Sequence, residues 1–339
     1  MHTLRVPYAD LYAALLHATQ HLGLRGDRAA RCARLFAETT RDGVYTHGLD
    51  RFPRFAEMVA NGSIDVNAEP AHLAGNAGLE RWDGHLGPGN TNAYAAMERA
   101  IALARQFGLG GVALANTNHW MRGGSYGWQA ADAGVFALCW TNTLANLPPW
   151  GASTPAVGNN PLVIAVPRPG GAHVVLDMAM SQFSYGALSA YTARGAQLPV
   201  PGGYNHAGEL TTDPAAIEAS HRALAIGYWK GSGLSLVLDM LAAMLSGGYA
   251  THRIPRESTR ESGVSQFFLA IDPSSFAAAA ELDRIAAGIL DSLRAATPID
   301  PARPVRYPGE HTLQLRQENL RLGVPVTPEV WDKLQSLSF

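Results

Sequence analysis

The sequence predicts an α/β fold in which a mixed-sheet domain lies between helical segments supplied by both chain ends. Residues 1–70 and 309–339 carry apolar side chains at helical spacing. Residues 71–308 contain short apolar runs bounded by glycine and proline, which are typical of strands. We therefore expect an N-terminal helical domain, a central sheet domain, and C-terminal helices that pack back on the first domain.

The N-terminal segment is predicted to form helices over residues 6–22, 27–40 and 53–60. Asp27 is expected to cap the second helix, and Pro53 suits a first helical turn because it has no N–H to leave unpaired. Near the other end, helices are predicted over residues 310–322 and 327–337, with Gly323 ending the first of them.

The central segment is predicted to combine strands and helices. Strands are expected at residues 80–83, 110–115, 135–141, 161–166, 173–178 and 266–271, and helices at 91–107, 127–133, 231–245 and 276–296. Continuous apolar strands such as 135–141 indicate a sheet that is covered on both faces. Residues 116–127 and 199–213 are predicted to be loops.

Composition excludes several classes of function. The chain has 26 Lys+Arg against 28 Asp+Glu and no basic block, so no nucleic acid partner is expected. The N-terminus has no apolar signal core, and no apolar run could span a bilayer, so we expect a cytoplasmic protein that does not enter membranes. Cys32 and Cys139 lie in apolar surroundings and are predicted to be buried thiols in a reducing compartment.

Common cofactor and metal motifs are missing from the sequence. The nearest approach to G-x-G-x-x-G is Gly231-Ser232-Gly233, where Leu236 occupies the third glycine position and no strand precedes. There is no Walker lysine motif, no H-E-x-x-H and no G-x-S-x-G. We therefore predict neither a Rossmann dinucleotide site nor a metal site.

The polar group with the clearest chemistry is Thr46, His47 and Arg51. Histidine exchanges a proton near neutral pH, and the planar guanidinium of arginine matches a carboxylate. On one helical turn, positions four apart face the same way, so a carboxylate beside a carbonyl would meet Arg51 and His47 together. The same spacing also fits an ordinary solvated surface turn.

Two further polar groups have both a functional and a structural interpretation. Residues 116–124 form either a binding loop or a loop stabilised by its own amides. Asp177 ends a strand and could bind a ligand or cap a helix, and Lys230 stands at a helix start where an anion could bind, or is a surface lysine. Glu310 also stands at a helix start, where an acid complements the helix dipole.

The sequence resembles the malate/L-lactate dehydrogenase family, type 2, which does not use a Rossmann fold. The residues that carry the resemblance are 46–48, 51–54, 118–131, 148–152, 183–186 and 227–233. Within the family, the chain is most similar to members that reduce a diketo sugar acid. The resemblance implies a homodimeric enzyme with the family's own mixed-sheet fold, in which hydride moves between NADH, or alternatively NADPH, and a 2-oxo acid.

Carried over by position, the resemblance makes His47 the proton donor. It assigns cofactor contacts to His173, Val174, Val175, Leu176, Asp177, Met178, Ala179, Trp229, Lys230, Gly309, Glu310 and His311. Thr46 keeps a hydroxyl where relatives commonly have serine. Family members that reduce a diketo sugar acid reverse the order of the acid and the imidazole at residues 310 and 311, so the resemblance assigns no separate roles to those two side chains.

The resulting hypothesis gives each residue of the first polar group a task. His47, as an imidazolium, would protonate the carbonyl oxygen while Arg51 holds the substrate carboxylate. Thr46, together with Asn118 or His119, would supply neutral hydrogen bonds to the substrate.

Other readings remain open. Members of the same family act on Δ1-piperideine-2-carboxylate, ureidoglycolate, malate, lactate or sulfolactate. From other classes, the alternatives are a non-catalytic sugar-acid binding protein and a metal-dependent hydrolase or lyase that uses Asp83, His85 and His119.

Overall fold

The computed structural model describes residues 4–336, and over that range the strands form one seven-stranded mixed sheet and two short two-stranded sheets. The elements in chain order are β1 (Leu4–Val6), α1 (Tyr8–His21), α2 (Gly26–Arg41), α3 (Phe52–Ala60), β2 (Ala71–Asn76), β3 (Leu79–Asp83), α4 (Gly89–Phe107), β4 (Leu109–Asn118), α5 (Gly124–Asp132), β5 (Phe136–Thr141), β6 (Leu162–Val166), β7 (Val174–Met178), α6 (Tyr185–Ala193), β8 (Gly203–Tyr204), β9 (Leu210–Thr211), α7 (Pro214–Ser220), α8 (Trp229–Ser246), β10 (Ser262–Ile271), α9 (Ala279–Arg294), α10 (Glu310–Leu322), β11 (Val324–Val326) and α11 (Pro328–Ser336). The predicted α/β class with a mixed sheet is confirmed.

The large sheet has the strand order β2-β3-β4-β10-β5-β6-β7. Strands β3 and β4 are parallel, whereas every other neighbouring pair in this sheet is antiparallel. A doubly wound dinucleotide fold has a mostly parallel sheet, so this topology differs from a Rossmann domain.

Side chains alternate between the two faces of the sheet and enter different cores. Val112 and Phe268 join α4 and α5 in one hydrophobic cluster, whereas their neighbours Ala113 and Phe267 join α6, α7 and α8 in another. This period-2 division follows from strand geometry and explains why the central strands read as continuous apolar runs.

The two chain ends meet in a third cluster. Strand β1 pairs with β11 in antiparallel register, with Val6 opposite Val324. Behind this pairing, Leu11 of α1 and Phe36 of α2 belong to the same buried cluster as Trp331 of α11.

Several predicted boundaries were wrong for identifiable reasons. Val6 lies in β1, and α1 begins only after Pro7, because residues 4–6 extend to pair with β11. Asp27 lies in the first turn of α2 and does not cap it, since Arg25 holds the N-cap position. Strand β4 continues to Asn118, three residues beyond the predicted end, because its partner β10 also extends to Ser262.

Two helices were missed in the central segment. Helix α6 is capped by Ser184, whose hydroxyl accepts the N–H of Ala187, and α7 is capped by the carboxylate of Asp213. Helix α9 begins at Ala279, later than predicted, because a short 3-10 turn over Pro273–Ser275 precedes it. The predicted end of the last helix at Leu337 lies outside the described residues.

Both cysteines are buried free thiols, as predicted. A bilayer span would require a longer or more apolar helix than any found between residues 4 and 336.

Candidate active site

A cavity of about 670 Å³ lies where the segment between α2 and α3 meets loops of the sheet domain. Thr46, His47, Arg51 and His119 all line this cavity, so four of the residues singled out from the sequence come together. The remaining wall is supplied by Arg54, Thr143, Leu144, Ala145, Asn146, Pro155, Asn159, Ser184, Tyr185, Gly186, His221, Arg256, Ser258 and Glu261.

The segment that carries His47 and Arg51 is not one helical turn, as predicted, but two short 3-10 turns, Tyr45–His47 and Leu49–Arg51. Gly48 separates them with a backbone conformation of φ −97° and ψ −128°. A side chain at Gly48 would overlap Thr40 of α2, whose Oγ1 accepts the N–H of Leu49 at 2.8 Å. Gly48 therefore serves close packing on α2, and the side chains of His47 and Arg51 reach one cavity from consecutive turns.

The His47 ring has one partner in the protein and one open nitrogen. Thr46 Oγ1 lies 3.0 Å from Nδ1, and no residue between 4 and 336 hydrogen-bonds Nε2. Burial, and then the charges of Arg51 and Arg122, lower the pKa of His47 to about 4. The expected imidazolium is therefore disfavoured in the ligand-free protein at neutral pH, because burial, and then the unpaired charge of Arg51, oppose it.

His119 lies next to His47, with ring centroids 5.9 Å apart and planes inclined by 25°. Its Nδ1 accepts the backbone N–H of Met121 at 3.0 Å. Burial, followed by the charges of Arg51, His47 and Arg54, holds the pKa of His119 well below its ordinary value.

Arg51 provides a positive charge without a bonded counter-ion. Within residues 4–336 its guanidinium makes no hydrogen bond or ion pair, whereas neighbouring Arg54 lies 3.5 Å from the buried Glu261 carboxylate. Burial and then Arg54 lower the pKa of Arg51 to about 10, against the opposing effect of Glu261. A half-buried cation in a cavity with no bonded anion indicates a site for an anionic ligand.

Asn118, one of the predicted substrate contacts, does not line this cavity. Its side chain is fully buried, and Nδ2 donates to the carbonyl oxygens of Ser63, Leu86 and Gly87 at 3.2, 2.7 and 3.0 Å. The amide holds the end of β4 in place, so a direct contact with substrate has no support from this geometry.

The segments to which cofactor contacts were assigned lie near the β7 edge of the sheet. Val175 N donates to Pro308 O at 3.0 Å, which places residues 173–178 beside Gly309. Gly309 has φ +96°, and a Cβ there would lie 3.1 Å from Val175 N. Beyond β7, Ile226 N donates to Met180 O at 2.8 Å, which brings the chain leading to Trp229 and Lys230 alongside.

Some of the assigned cofactor side chains are already bonded within the protein. The ring of His173 accepts the N–H of Arg168 and lies 2.9 Å from Asp132. Glu310 pairs with Arg294 at 2.7 Å. Asp177 Oδ2 accepts the N–H of Gly124 at 2.7 Å, so it caps α5 and not the segment that follows it.

Lys230 and Trp229 remain open at the start of α8. Both are exposed, and Lys230 has no ion pair among residues 4–336. The backbone N–H groups of Lys230 and Gly231 already donate to Gly227 O and Ile226 O. The predicted anion contact at this helix start would therefore come from the Lys230 ammonium and the helix dipole. Their positive charge suits the pyrophosphate of a dinucleotide.

The residues of the metal-dependent alternative are divided between two cavities. Asp83 and His85 line a separate cavity with Asn116, while His119 faces His47. Among the residues that the structure describes, no group of three or more His, Cys, Asp or Glu side chains could hold a metal ion.

Comparison with known proteins agrees with this architecture. The family profile described as malate/L-lactate dehydrogenase matches residues 6–335. The chain belongs to the malate/L-lactate dehydrogenase family. It is 42% identical over 334 residues to the 2,3-diketo-L-gulonate reductase of Salmonella newport, covering 98% of this chain and 100% of that protein. The corresponding reductase of Citrobacter koseri is 43% identical with the same coverage.

A solved structure of the family has the same fold. The Δ1-piperideine-2-carboxylate reductase of Pseudomonas syringae pvar. tomato superimposes with a TM-score of 0.87 at 26% identity, covering 99% of this chain and 100% of that one. Membership in this family confirms the predicted class of enzyme, an oxidoreductase of 2-hydroxy and 2-oxo acids.

Three charged residues of the cavity wall, Arg54, Arg256 and Glu261, were not singled out from the sequence. Arg54 stood inside the motif that carries the family resemblance, but no role was attached to it. Glu261 had no local signal, because it enters the cavity only through the pairing of Ser262 with Asn118 across β10 and β4.

The low pKa of His47 can be tested in the ligand-free protein. We expect a pKa of about 4, and Arg51→Gln should raise it part of the way towards the ordinary value of about 6.5, because burial persists after the charge is removed. The imidazole signals of His47, followed by NMR as a function of pH, give both values. Arg54→Gln is the matched control and should leave the His47 pKa nearly unchanged. A wild-type pKa near that of free histidine would contradict this account.

Proposed function

We propose that this protein reduces the C2 carbonyl of a 2-oxo acid with a reduced nicotinamide cofactor. The observation that carries the proposal is the half-buried Arg51 guanidinium, without a bonded counter-ion, in the same cavity as the open Nε2 of His47. A carboxylate next to a carbonyl is the chemical group that would satisfy both.

In this mechanism, the protein positions the substrate and delivers a proton. Arg51 binds the carboxylate in bidentate fashion, which directs the C2 oxygen towards His47 Nε2. When bound, the reduced nicotinamide supplies the hydride. His47 protonates the developing alkoxide, while Thr46 orients its ring through Nδ1.

Binding of the substrate carboxylate would favour the protonated form of His47, which the reduction needs as a proton donor. In the ligand-free protein, Arg51 helps to keep His47 neutral. A carboxylate on Arg51 would offset that positive charge and raise the proton affinity of His47. The 2-oxo acid would therefore bind together with a proton, and in the reverse direction neutral His47 would act as the base.

One wall of the cavity, formed by Arg54, Tyr185 and Glu261 and here called the distal wall, is polar. This wall favours a hydroxylated open-chain acid as the substrate. Arg54 and Glu261 lie there as a charge pair, and Tyr185 donates its hydroxyl to Asn146 O at 3.1 Å. Together with the names of the relatives, these groups favour 2,3-diketo-L-gulonate as substrate. We propose NADH as the cofactor, which is what the family resemblance of the sequence implies. NADPH and the cyclic imino acid Δ1-piperideine-2-carboxylate are the principal alternatives.

The domain division and the compartment complete the proposal. Residues 1–70 would carry the catalytic turns, residues 71–308 most of the cofactor- and substrate-binding walls, and the C-terminal segment from residue 309 would close the helical layer. Free thiols at Cys32 and Cys139 agree with the reducing cytoplasm.

The reaction is tested by following oxidation of NADH and NADPH with a panel of acids. The panel includes 2,3-diketo-L-gulonate, pyruvate, oxaloacetate and Δ1-piperideine-2-carboxylate. His47→Ala should lower kcat on the best substrate by on the order of 10²–10⁴-fold, because a positioned proton donor is lost. NADH binding, measured by fluorescence, should stay unchanged.

His17→Ala is the control, since this imidazole lies exposed on α1. Turnover that survives in His47→Ala, or a wild-type protein that oxidises neither dinucleotide with any acid, would contradict the proposal.

The carboxylate clamp has a different kinetic signature. Arg51→Ala should raise KM for the acid by on the order of 10–100-fold, the effect of losing a charge-assisted hydrogen-bonded pair. The dissociation constant for NADH should change little. Steady-state kinetics and fluorescence titration measure the two quantities, with Arg303→Ala, on an exposed side chain, as the control. A KM equal to that of the wild type would rule out the clamp.

We also propose that two copies of the chain associate through α8. This helix exposes a run of large apolar side chains that includes Val237, Met240, Leu241 and Met244, with Met244 74% exposed. Such a face is typical of a permanent homodimer interface, because it would otherwise remain in water.

Charge placed on this face should separate the two copies. Met244→Glu should shift the wild-type dimer towards monomer in sedimentation velocity, since the carboxylate would lose its hydration in the interface. Ile299→Glu, at a fully exposed position, is the control and should remain dimeric. A monomeric wild-type protein would contradict this part of the proposal.

A further inference from the structure

Two imidazoles face the same cavity, but the protein holds them in different ways. His47 and His119 are nearly parallel neighbours, with centroids 5.9 Å apart. In both rings, Nδ1 has a protein partner, whereas Nε2 has none among residues 4–336. The chemical nature of the Nδ1 partner decides what each Nε2 can do.

The partner of His47 permits both protonation states. Thr46 Oγ1, 3.0 Å from Nδ1, is a hydroxyl that can either donate or accept a hydrogen bond. His47 can therefore gain or lose a proton without breaking this contact, as a proton donor in a reaction must.

The partner of His119 permits only one state. The backbone N–H of Met121, 3.0 Å from Nδ1, can only donate, so Nδ1 must present its lone pair. The proton of the neutral ring is then on Nε2. Protonation of Nδ1 would place two donors face to face, and the guanidinium groups of Arg51 and Arg54 oppose any added positive charge.

The backbone around His119 holds this donor rigidly. The preceding Asn118 is fully buried and bonded to carbonyl oxygens, while a side chain at Gly89 would overlap the carbonyls of Asn118 and His119. Met121 adopts φ +64°, a conformation that side-chain-bearing residues rarely take, and this directs its N–H at the ring.

We propose that His119 is a fixed neutral hydrogen-bond donor to an oxygen on C3 of the substrate, so that this enzyme selects 2-oxo acids that are oxygenated next to the reacting carbonyl. The inference rests on the proposed function, in which His47 serves the C2 oxygen. The ring beside His47 then lies next to the adjacent carbon. A neutral imidazole is suited to polarise a neighbouring carbonyl, because it donates without transferring its proton.

The test compares two acids with the same number of non-hydrogen atoms. Hydroxypyruvate carries a hydroxyl on C3, and 2-oxobutyrate carries a methyl group in its place. The measured quantity is the ratio of their kcat/KM values with NADH. His119→Leu removes the donor, whereas His119→Gln keeps an amide N–H near the position of Nε2.

We expect His119→Leu to lower the ratio of hydroxypyruvate to 2-oxobutyrate by about tenfold relative to the wild type, the effect of one lost hydrogen bond. His119→Gln should retain much of the wild-type ratio. Because both acids are measured on the same variant, partial unfolding cancels in the ratio.

The inference is overturned if His119→Leu lowers both kcat/KM values by the same factor, or if His119→Gln loses the preference as completely as His119→Leu. In those cases the wild type would still reduce 2-oxo acids, so the proposed function would stand. A wild-type protein that reduces neither these acids nor any other acid of the panel would contradict both the proposed function and the inference about His119.

Discussion

One buried carboxylate ties together the elements from which the cavity is built. Asp42, at the end of α2, accepts hydrogen bonds from Arg122 at 2.7 Å, from Arg316 at 2.8 and 2.7 Å, and from Arg41 at 2.9 Å. Burial alone would raise the pKa of Asp42, but the hydrogen bond from Arg316 and the charges of Arg122 and Arg41 outweigh it and hold the pKa far below its usual range. Breaking such a buried pair typically costs about 3–5 kcal/mol.

The position of this cluster explains its importance for the site. Asp42 lies just before the two turns that carry His47 and Arg51. Arg122 follows the loop of His119, and Arg316 belongs to α10. The N-terminal segment, the sheet domain and the C-terminal helix are therefore held in one arrangement by charge, and Arg122 also contributes to the low pKa of His47. The geometry of the cavity and its electrostatics share this origin.

Sequence periodicity predicted the elements whose signals are local. Helix α10 was bounded correctly, because Gly309 and Gly323 both adopt positive φ and interrupt the helical pattern at its two ends. The short helices α6 and α7 were missed, since their capping residues lie among turn-forming residues that read as loop. The extension of β4 to Asn118 was missed as well, because pairing with β10 stabilises a stretch that looks like a loop by itself.

The site was predictable in its chemistry but not in its geometry. His47 and Arg51 were selected from the sequence by residue type alone. The structure places both in one cavity, but on two short 3-10 turns and not on the single helical turn that was assumed. The sequence could not distinguish Asn118 from His119, because adjacent residues at a strand end point in different directions and only packing decides which one lines the cavity. The place of Glu261 in the cavity wall could not be predicted either, because its neighbour Arg54 is remote from it in sequence.

The pairing of Ser262 with Asn118 has a further consequence. His119 and Glu261 leave the sheet side by side, one after β4 and the other before β10, so two parts of the cavity wall are fixed to neighbouring strands of the same sheet. The loops at residues 143–146 and 256–258 also line the cavity, and they lie outside these strands. These loops can change in sequence, and with them the shape of the cavity, while His47 and His119 stay in position. This offers a physical reason why one fold accommodates proteins named for an open-chain diketo acid and for a cyclic imino acid.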